Sequence, residues 1–235
     1  MSADCVLNNW RVDILSGSVY FSVSYGLLYN WYAATDTRNI AADMWRMPTK
    51  ADWEVLGIYL GCTFSWPDYF DIPNTAGGAL KEPGLTYWSY SNVGANNSTG
   101  FNGRGSSYRL QEGAFSLEVG TTGQFWESSN SYWHYDLDNS SANLRNALGG
   151  PRYGISIRLI KDTTTLTHGQ TGTYVGNDGK VYRTICIGTQ EWLADNLCET
   201  SYRNGDPIPE VTDNAAWEAL TTGAMCAYNN DWNNV

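Results

Sequence analysis

The stretch RYGISIRLIKD, residues 152–162, sets Ile155, Ile157 and Leu159 against Ser156, Arg158 and Ile160 at period two. That alternation predicts a strand with a mostly apolar inner face. The segments after this strand decide the architecture. KDTTTLTHGQTG, residues 161–172, is Thr-rich, with Leu166 its one large apolar side chain, and reads as a linker. GTYVGNDGKVYRTICIGTQEWLADNL, residues 172–197, then places two β-rich runs around Asn177-Asp178-Gly179, residues that tolerate positive φ, and so predicts a hairpin.

Helical signals are few. In PTKADWEVLGIYLG, residues 48–61, Pro48-Thr49 supplies an N-cap and Asp52 its capping-box partner; Trp53, Leu56 and Leu60 share a stripe, and Gly61 stops it. VTDNAAWEALTTG, residues 211–223, offers Thr212 or Asp213 as cap, Trp217 and Leu220 as the apolar face, and Gly223 as the end. Residues 84–150 are rich in Gly, Ser, Asn and aromatics with weak periodicity, which predicts long ordered loops on a small sheet. Within them SYWHYDLD, residues 131–138, reads as a strand with Trp133, Tyr135 and Leu137 in the core and Tyr132, His134, Asp136 and Asp138 displayed.

A chain of 235 residues suits one or two domains and can bury a real core. Only 16% of residues are charged and 14% are aromatic, so much of the surface must be uncharged polar or aromatic. The net charge of -10 argues against a nucleic-acid backbone or an anionic membrane as partner. The opening MSADCVLNNWRVD has no basic region followed by an apolar run, and no apolar segment is long enough to span a bilayer. A signal peptide is therefore not expected, and export would depend on an assembly. Cys5, Cys62, Cys186, Cys198 and Cys226 lack metal-type spacing and their odd number prevents complete pairing; they read as buried free thiols, with Cys186 and Cys198 the first pair to test for a disulfide.

The motifs YGLLYNWYAA, WRMPTKADWEVLGIYLG, AGGALKEPG, YWSYSNVGANNSTGF, SSYR and RYGISIRLIKD occur in one order between residues 25 and 162. In that order they resemble the Fibrobacter succinogenes major paralogous domain, a family related to the C-type-lectin-like fold. The later DGKVYRTICIG to YNND segment resembles the opening of the same family, yet here it comes after the strand that ordinarily closes the domain. A circular permutation, a truncated tandem copy or a piece completing a neighbouring subunit would each produce this order, and one permuted domain is favoured because termini of compact domains often lie close together. The resemblance thus implies an α+β fold: short twisted antiparallel sheets, two short helices and long ordered loops. The parts are residues 1–24 as an arm or added strand, 25–162 as the main part, 163–171 as linker, and 172–235 completing the same domain or a neighbour.

Catalytic signals are weak. His134 and His168 are the only histidines, which disfavours a triad or metal site. GNDGK at 176–180 lacks the later bidentate Glu of a calcium loop. KEPG at 81–84 resembles the sugar-binding tripeptide of calcium-dependent lectins, but Gly84 replaces the residue that would bind metal and sugar. Sulfatase-modifying oxidases share a related fold and depend on cysteine chemistry, for which this chain has no close pair. Neither catalysis, cofactor nor metal is expected.

Binding is better supported, because Tyr with Ser, Asn and Asp is the composition of antibody paratopes. The resemblance extends to targets of diversity-generating retroelements, and it implies ligand-binding positions at Ser106, Tyr108, Ser131, Tyr132, His134, Asp136, Asp138, Asn139, Arg145, Ala147 and Gly149, with Leu144 and Tyr153 as buried landmarks. The expected function is a non-catalytic receptor-binding domain on a phage virion, holding a host-surface glycan or protein, as a homo-oligomer such as a trimer or docked on other virion proteins. The alternatives are a structural virion decoration without a dedicated ligand, and a secreted bacterial surface protein. Nucleic acid and membrane insertion are not expected.

Overall fold

The structure, a computed structural model, describes residues 10–12, 19–21, 25–65, 69–70, 73–116, 118–129 and 132–235. Strands in chain order are β1 (Trp10–Val12), β2 (Val19–Phe21), β3 (Leu28–Tyr29), β4 (Trp45–Arg46), β5 (Phe64–Ser65), β6 (Tyr69–Phe70), β7 (Tyr108–Arg109) and β8 (Phe115–Ser116). They continue with β9 (Thr122–Trp126), β10 (Trp133–Asp138), β11 (Arg145–Leu148), β12 (Ile160–Lys161), β13 (Thr171–Val175), β14 (Val181–Ile187), β15 (Gln190–Leu193) and β16 (Met225–Cys226). Helices are α1 (Trp31–Ala34), α2 (Lys50–Tyr59), α3 (Ala76–Leu80) and α4 (Asn214–Glu218). The fold is mixed α+β with mostly antiparallel sheets and short helices.

Local chemistry accounts for the elements the sequence announced. Thr49 caps α2 and completes a capping box with Asp52, and α2 buries Trp53 and Leu56. Asp213 caps α4, whose Trp217 is buried. The hairpin β13–β14 turns at Gly179, φ +84°, with Thr171 to Val175 paired to Ile185 to Val181. Two helices were not foreseen: α1, capped by the Asn30 side chain, and α3, whose Gly77 and Gly78 pack so closely on Asn143 and Gly94 backbone that a Cβ would lie 2.2 and 2.4 Å from a carbonyl oxygen.

The main sheet has the order β13-β14-β15-β12-β4, and β16 pairs with β3, so strands after residue 170 share sheets with strands before residue 50. The strand expected at 155–160 is instead an extended rod between layers, regular only at β12. Tyr29 and Ile155 exchange backbone bonds of 2.9 and 3.0 Å and Trp126 N–H donates to Ser156 O at 3.1 Å, while Leu193 N–H donates to Leu159 O and Leu197 N–H to Ile157 O. Both faces are consequently buried: Ser156 and Arg158 are as inaccessible as Ile155, Ile157 and Leu159. One core cluster surrounds Tyr29, Trp126, Ile157, Tyr182 and Leu197; another surrounds Trp53, Phe125, Tyr135, Leu137 and Trp192.

Other expectations change in detail. The expected linker, residues 163–171, is tied to β14: Gly169 N–H donates to Cys186 O and Cys186 N–H to Gln170 O. Cys62, Cys186, Cys198 and Cys226 are buried free thiols, so the Cys186–Cys198 disulfide is absent; Cys5 lies outside the described residues. The described part of the N-terminal arm, β1 and β2, pairs with itself and adds no strand to the main sheet. No helix is long and apolar enough to cross a membrane among the described residues.

Candidate functional site

The site is built on the three-stranded sheet β11-β10-β9. Pairing registers put Gln124, Asp136 and Arg145 in one cross-strand row and Trp126, His134 and Ala147 in the next. Alternation then assigns Phe125, Tyr135 and Leu137 to the opposite face, where they meet α2: Tyr135 stacks on Trp53 with ring centroids 4.6 Å apart and a 15° tilt.

The outer face is not simply wet. β7 and the 149–153 segment fold back over it: Arg109 and Gly154 exchange backbone bonds of 2.9 Å, and the Tyr108 and Tyr153 rings meet edge-on at 5.9 Å. Between roof and sheet lies a pocket of about 200 Å³ lined by Tyr108, Gln124, His134, Asp136, Ala147, Leu148 and Tyr153. Tyr108, His134, Asp136 and Ala147, all expected binding residues, converge there.

His134 and Asp136 make its floor. His134 Nε2 lies 3.3 Å from Asp136 Oδ1, but His134 Nδ1 and Asp136 Oδ1 are buried without a hydrogen-bond partner among the described residues. Burial pushes the imidazole down to about 4, opposed by the backbone carbonyl of Tyr132; that carbonyl already accepts from Gly149 N–H at 2.9 Å. Burial pushes the Asp136 carboxyl up to about 7, with Arg145 opposing and Asp138 adding to the rise. Both shifts have one cause, the cost of placing charge out of water.

The remaining expected residues divide. Ser106 is a correction: it is buried and bonded to Ser156 Oγ at 2.8 Å. His134 is likewise corrected from displayed to buried, because Trp126 packs edge-on against it at 6.0 Å and the roof closes above. Tyr132 is half-buried, stacked edge-on to Trp31 at 5.5 Å, and its φ of +64° breaks the alternation just before β10. Trp133 is therefore half-buried instead of core. Its replacement by Ala should cost only about 1–2 kcal/mol by area lost, against about 3–5 for Tyr135→Ala, which leaves a cavity; urea unfolding of the two variants would rank them, and equal losses would contradict this placement.

Asp138 accepts from Ser140 N–H at 2.7 Å and from Arg145 at 3.4 Å, and Arg145 is exposed at the rim. Asn139 holds the 84–93 loop by donating to Tyr90 O at 3.0 Å. At Gly149 a Cβ would lie 2.7 Å from the Tyr153 ring, so glycine there permits the roof to close. Leu144 is buried, whereas Tyr153 is half-buried and faces the pocket instead of serving as a core landmark. Ser131 lies outside the described residues. Gln124, Leu148 and Tyr153 were missed as lining; for Gln124 the signal was its register with Asp136, which no local pattern reveals.

The KEPG motif is used internally. The Lys81 ammonium is buried and donates to the carbonyls of Asp138, Ser141 and Val93 at 2.6, 2.7 and 3.0 Å, and Glu82 accepts from Arg104 at 2.7 Å. A broader groove of about 330 Å³ nearby, lined by Tyr25, Leu85, Thr86, Trp88, Ser89, Tyr90, Val119 and Gly120, has no charged side chain. No group of three or more His, Cys, Asp or Glu is disposed to hold a metal among the described residues.

No curated protein and no solved structure matches the chain. The model of the Fibrobacter succinogenes major domain matches residues 9–161, a span that begins earlier than the motifs at residue 25 and includes β7, β9, β10 and β11 with the pocket between them. By that match the chain belongs to the Fibrobacter succinogenes major domain family.

Proposed function

We propose that this chain is a non-catalytic binding domain, with a C-type-lectin-like fold, that holds a glycan or protein on a host surface and is displayed on a phage virion or another extracellular assembly. The observation that carries the reading is the convergence of Tyr108, His134, Asp136 and Ala147 on one pocket whose floor keeps buried polar atoms unpartnered. Such atoms cost stability, and a ligand that pairs with them offsets that cost. Binding is favoured over catalysis because the His134–Asp136 pair lacks the rest of a triad: a nucleophile would have to engage Nδ1, which has no partner among the described residues.

The test uses the rim and wall, because His134 in the floor is buried. A variant carrying Tyr108→Ala and Arg145→Ala should fold, with a cooperative thermal transition. On an array of purified bacterial surface polysaccharides and surface proteins it should bind the target of the unmodified chain at least ~30-fold more weakly, the loss of about 2 kcal/mol that marks a hot spot. Unchanged binding would reject the proposed face and favour a structural virion decoration without a dedicated ligand.

A further inference from the structure

We propose that the pocket between Tyr108, Tyr153 and Asp136 is a subsite for a primary alkylammonium group, of the kind a lysine side chain of a target protein presents. This deepens the binding reading above and rests on it. Asp136 Oδ1 is a buried acceptor that makes no hydrogen bond among the described residues; its near neighbour is His134 Nε2 at 3.3 Å. An ammonium group supplies both the missing donor and the compensating charge; an anionic ligand would add a second negative charge beside the carboxylate. The walls suit the stem and the head of such a group. Ala147 and Leu148 are apolar, and Tyr108 and Tyr153 add aromatic rings, which attract a cation that reaches their faces through the ring quadrupole. The net charge of -10 favours approach of a cation over an anion.

The pocket also carries its own signature. The titratable and charged groups facing Asp136 are His134 and Asp138 on its own strand, Arg145 on β11, Tyr108 on β7, and Tyr153 in the roof. Burial raises the Asp136 carboxyl to about 7, while a lysine ammonium stays charged to about pH 10. The neutral acid cannot compensate the ammonium charge, so affinity must rise as pH rises through 7.

The experiment titrates the full chain with Nα-acetyl-lysine-N-methylamide, its norleucine counterpart lacking the ammonium, and glucosamine, following the His134 imidazole resonances by NMR. The lysine derivative should perturb them, with affinity about tenfold higher at pH 8 than at pH 6 from the ionised fraction of Asp136, and the norleucine compound should not. Asp136→Asn should abolish both the binding and its pH dependence. Ala147→Phe, which fills the pocket from β11 and leaves the pair intact, should abolish binding as well and guards against a folding defect in the first variant. Equal binding of norleucine, tighter binding of glucosamine, an affinity independent of pH, or no perturbation at any soluble concentration of the lysine compound would each overturn the inference. If the rim variant loses its array target while the lysine compound fails to bind, the subsite falls and the binding face stands; if the lysine compound binds while the array target is unaffected, the subsite stands and the binding face falls.

Discussion

Replacement of Arg158 by methionine is expected to destabilise the protein by roughly 5 kcal/mol, a large share of the 5–15 kcal/mol available to an ordinary domain. Arg158 is fully buried. Its Nε donates to Asn196 Oδ1 at 2.6 Å, Nη1 to Phe101 O at 2.5 Å and Leu193 O at 2.9 Å, and Nη2 to Asn102 O at 2.9 Å. The guanidinium also lies 4.5 Å from the Phe101 ring centroid. Burial lowers its pKa to about 9, Asp195 opposing, so it remains a cation at neutral pH.

Methionine preserves much of the volume but supplies no donor, leaving three buried acceptors and the part-buried Asn102 O without it, at about 1–3 kcal/mol for each buried one. Removing a buried charge returns part of that loss, which is why the net is placed near 5. Arg158→Lys keeps the charge yet cannot reproduce the fork, and should fall between, at about 2–3 kcal/mol. Guanidinium unfolding of the three proteins measures this. A loss below about 1 kcal/mol for Met would mean that the guanidinium does not tie residues 101–102 to the 193–196 segment, because unpaired acceptors cost at least that much.

The second large effect is expected at Trp53. It is fully buried, stacks on Tyr135, and lies 4.9 Å from Trp192 and 5.9 Å from Phe125 by ring centroids. Trp53→Ala should cost about 3–5 kcal/mol through lost transfer energy and the cavity left between α2 and the underside of the β11-β10-β9 sheet. Its indole Nε1 has no hydrogen-bond partner among the described residues. Trp53→Phe should therefore be mild, about 1–2 kcal/mol, because removal of an unpaired donor offsets part of the lost packing. If Phe proves as damaging as Ala in thermal unfolding, the indole nitrogen has a partner and the packing argument is incomplete. Because Tyr135 stacks on Trp53 while His134 and Asp136 point the other way, the Ala variant should also weaken ligand binding through a displaced β10.

The parts of this fold that were legible in the sequence are those whose causes are local. Thr49 and Asp52 are three residues apart and bond to one another's backbone N–H, so the start of α2 is written in a four-residue window. Gly179 turns β13 into β14 within a five-residue stretch. The side-chain period of β10 correctly assigned Tyr135 and Leu137 to the core, since alternation belongs to any extended chain. It failed at Trp133, where the positive φ of Tyr132 intervenes.

The site was half legible for the same reason. Of the residues the sequence singled out, Tyr108, His134, Asp136 and Ala147 line one pocket. Their environments depend on partners far along the chain: the roof over His134 comes from β7 and Tyr153, Gln124 enters by strand register, and the acceptors around Arg158 come from residues 101, 102, 193 and 196. Sequence alone therefore determined the caps, the turn and the alternation, all products of short-range geometry, while the structure places most of the described aromatic side chains in the core. Only the tertiary structure decided that His134 is buried, that Asp136 is half-buried with its Oδ1 covered, and that Arg158 is a core residue, because burial of a polar group is set by which distant segments supply its partners or withhold them.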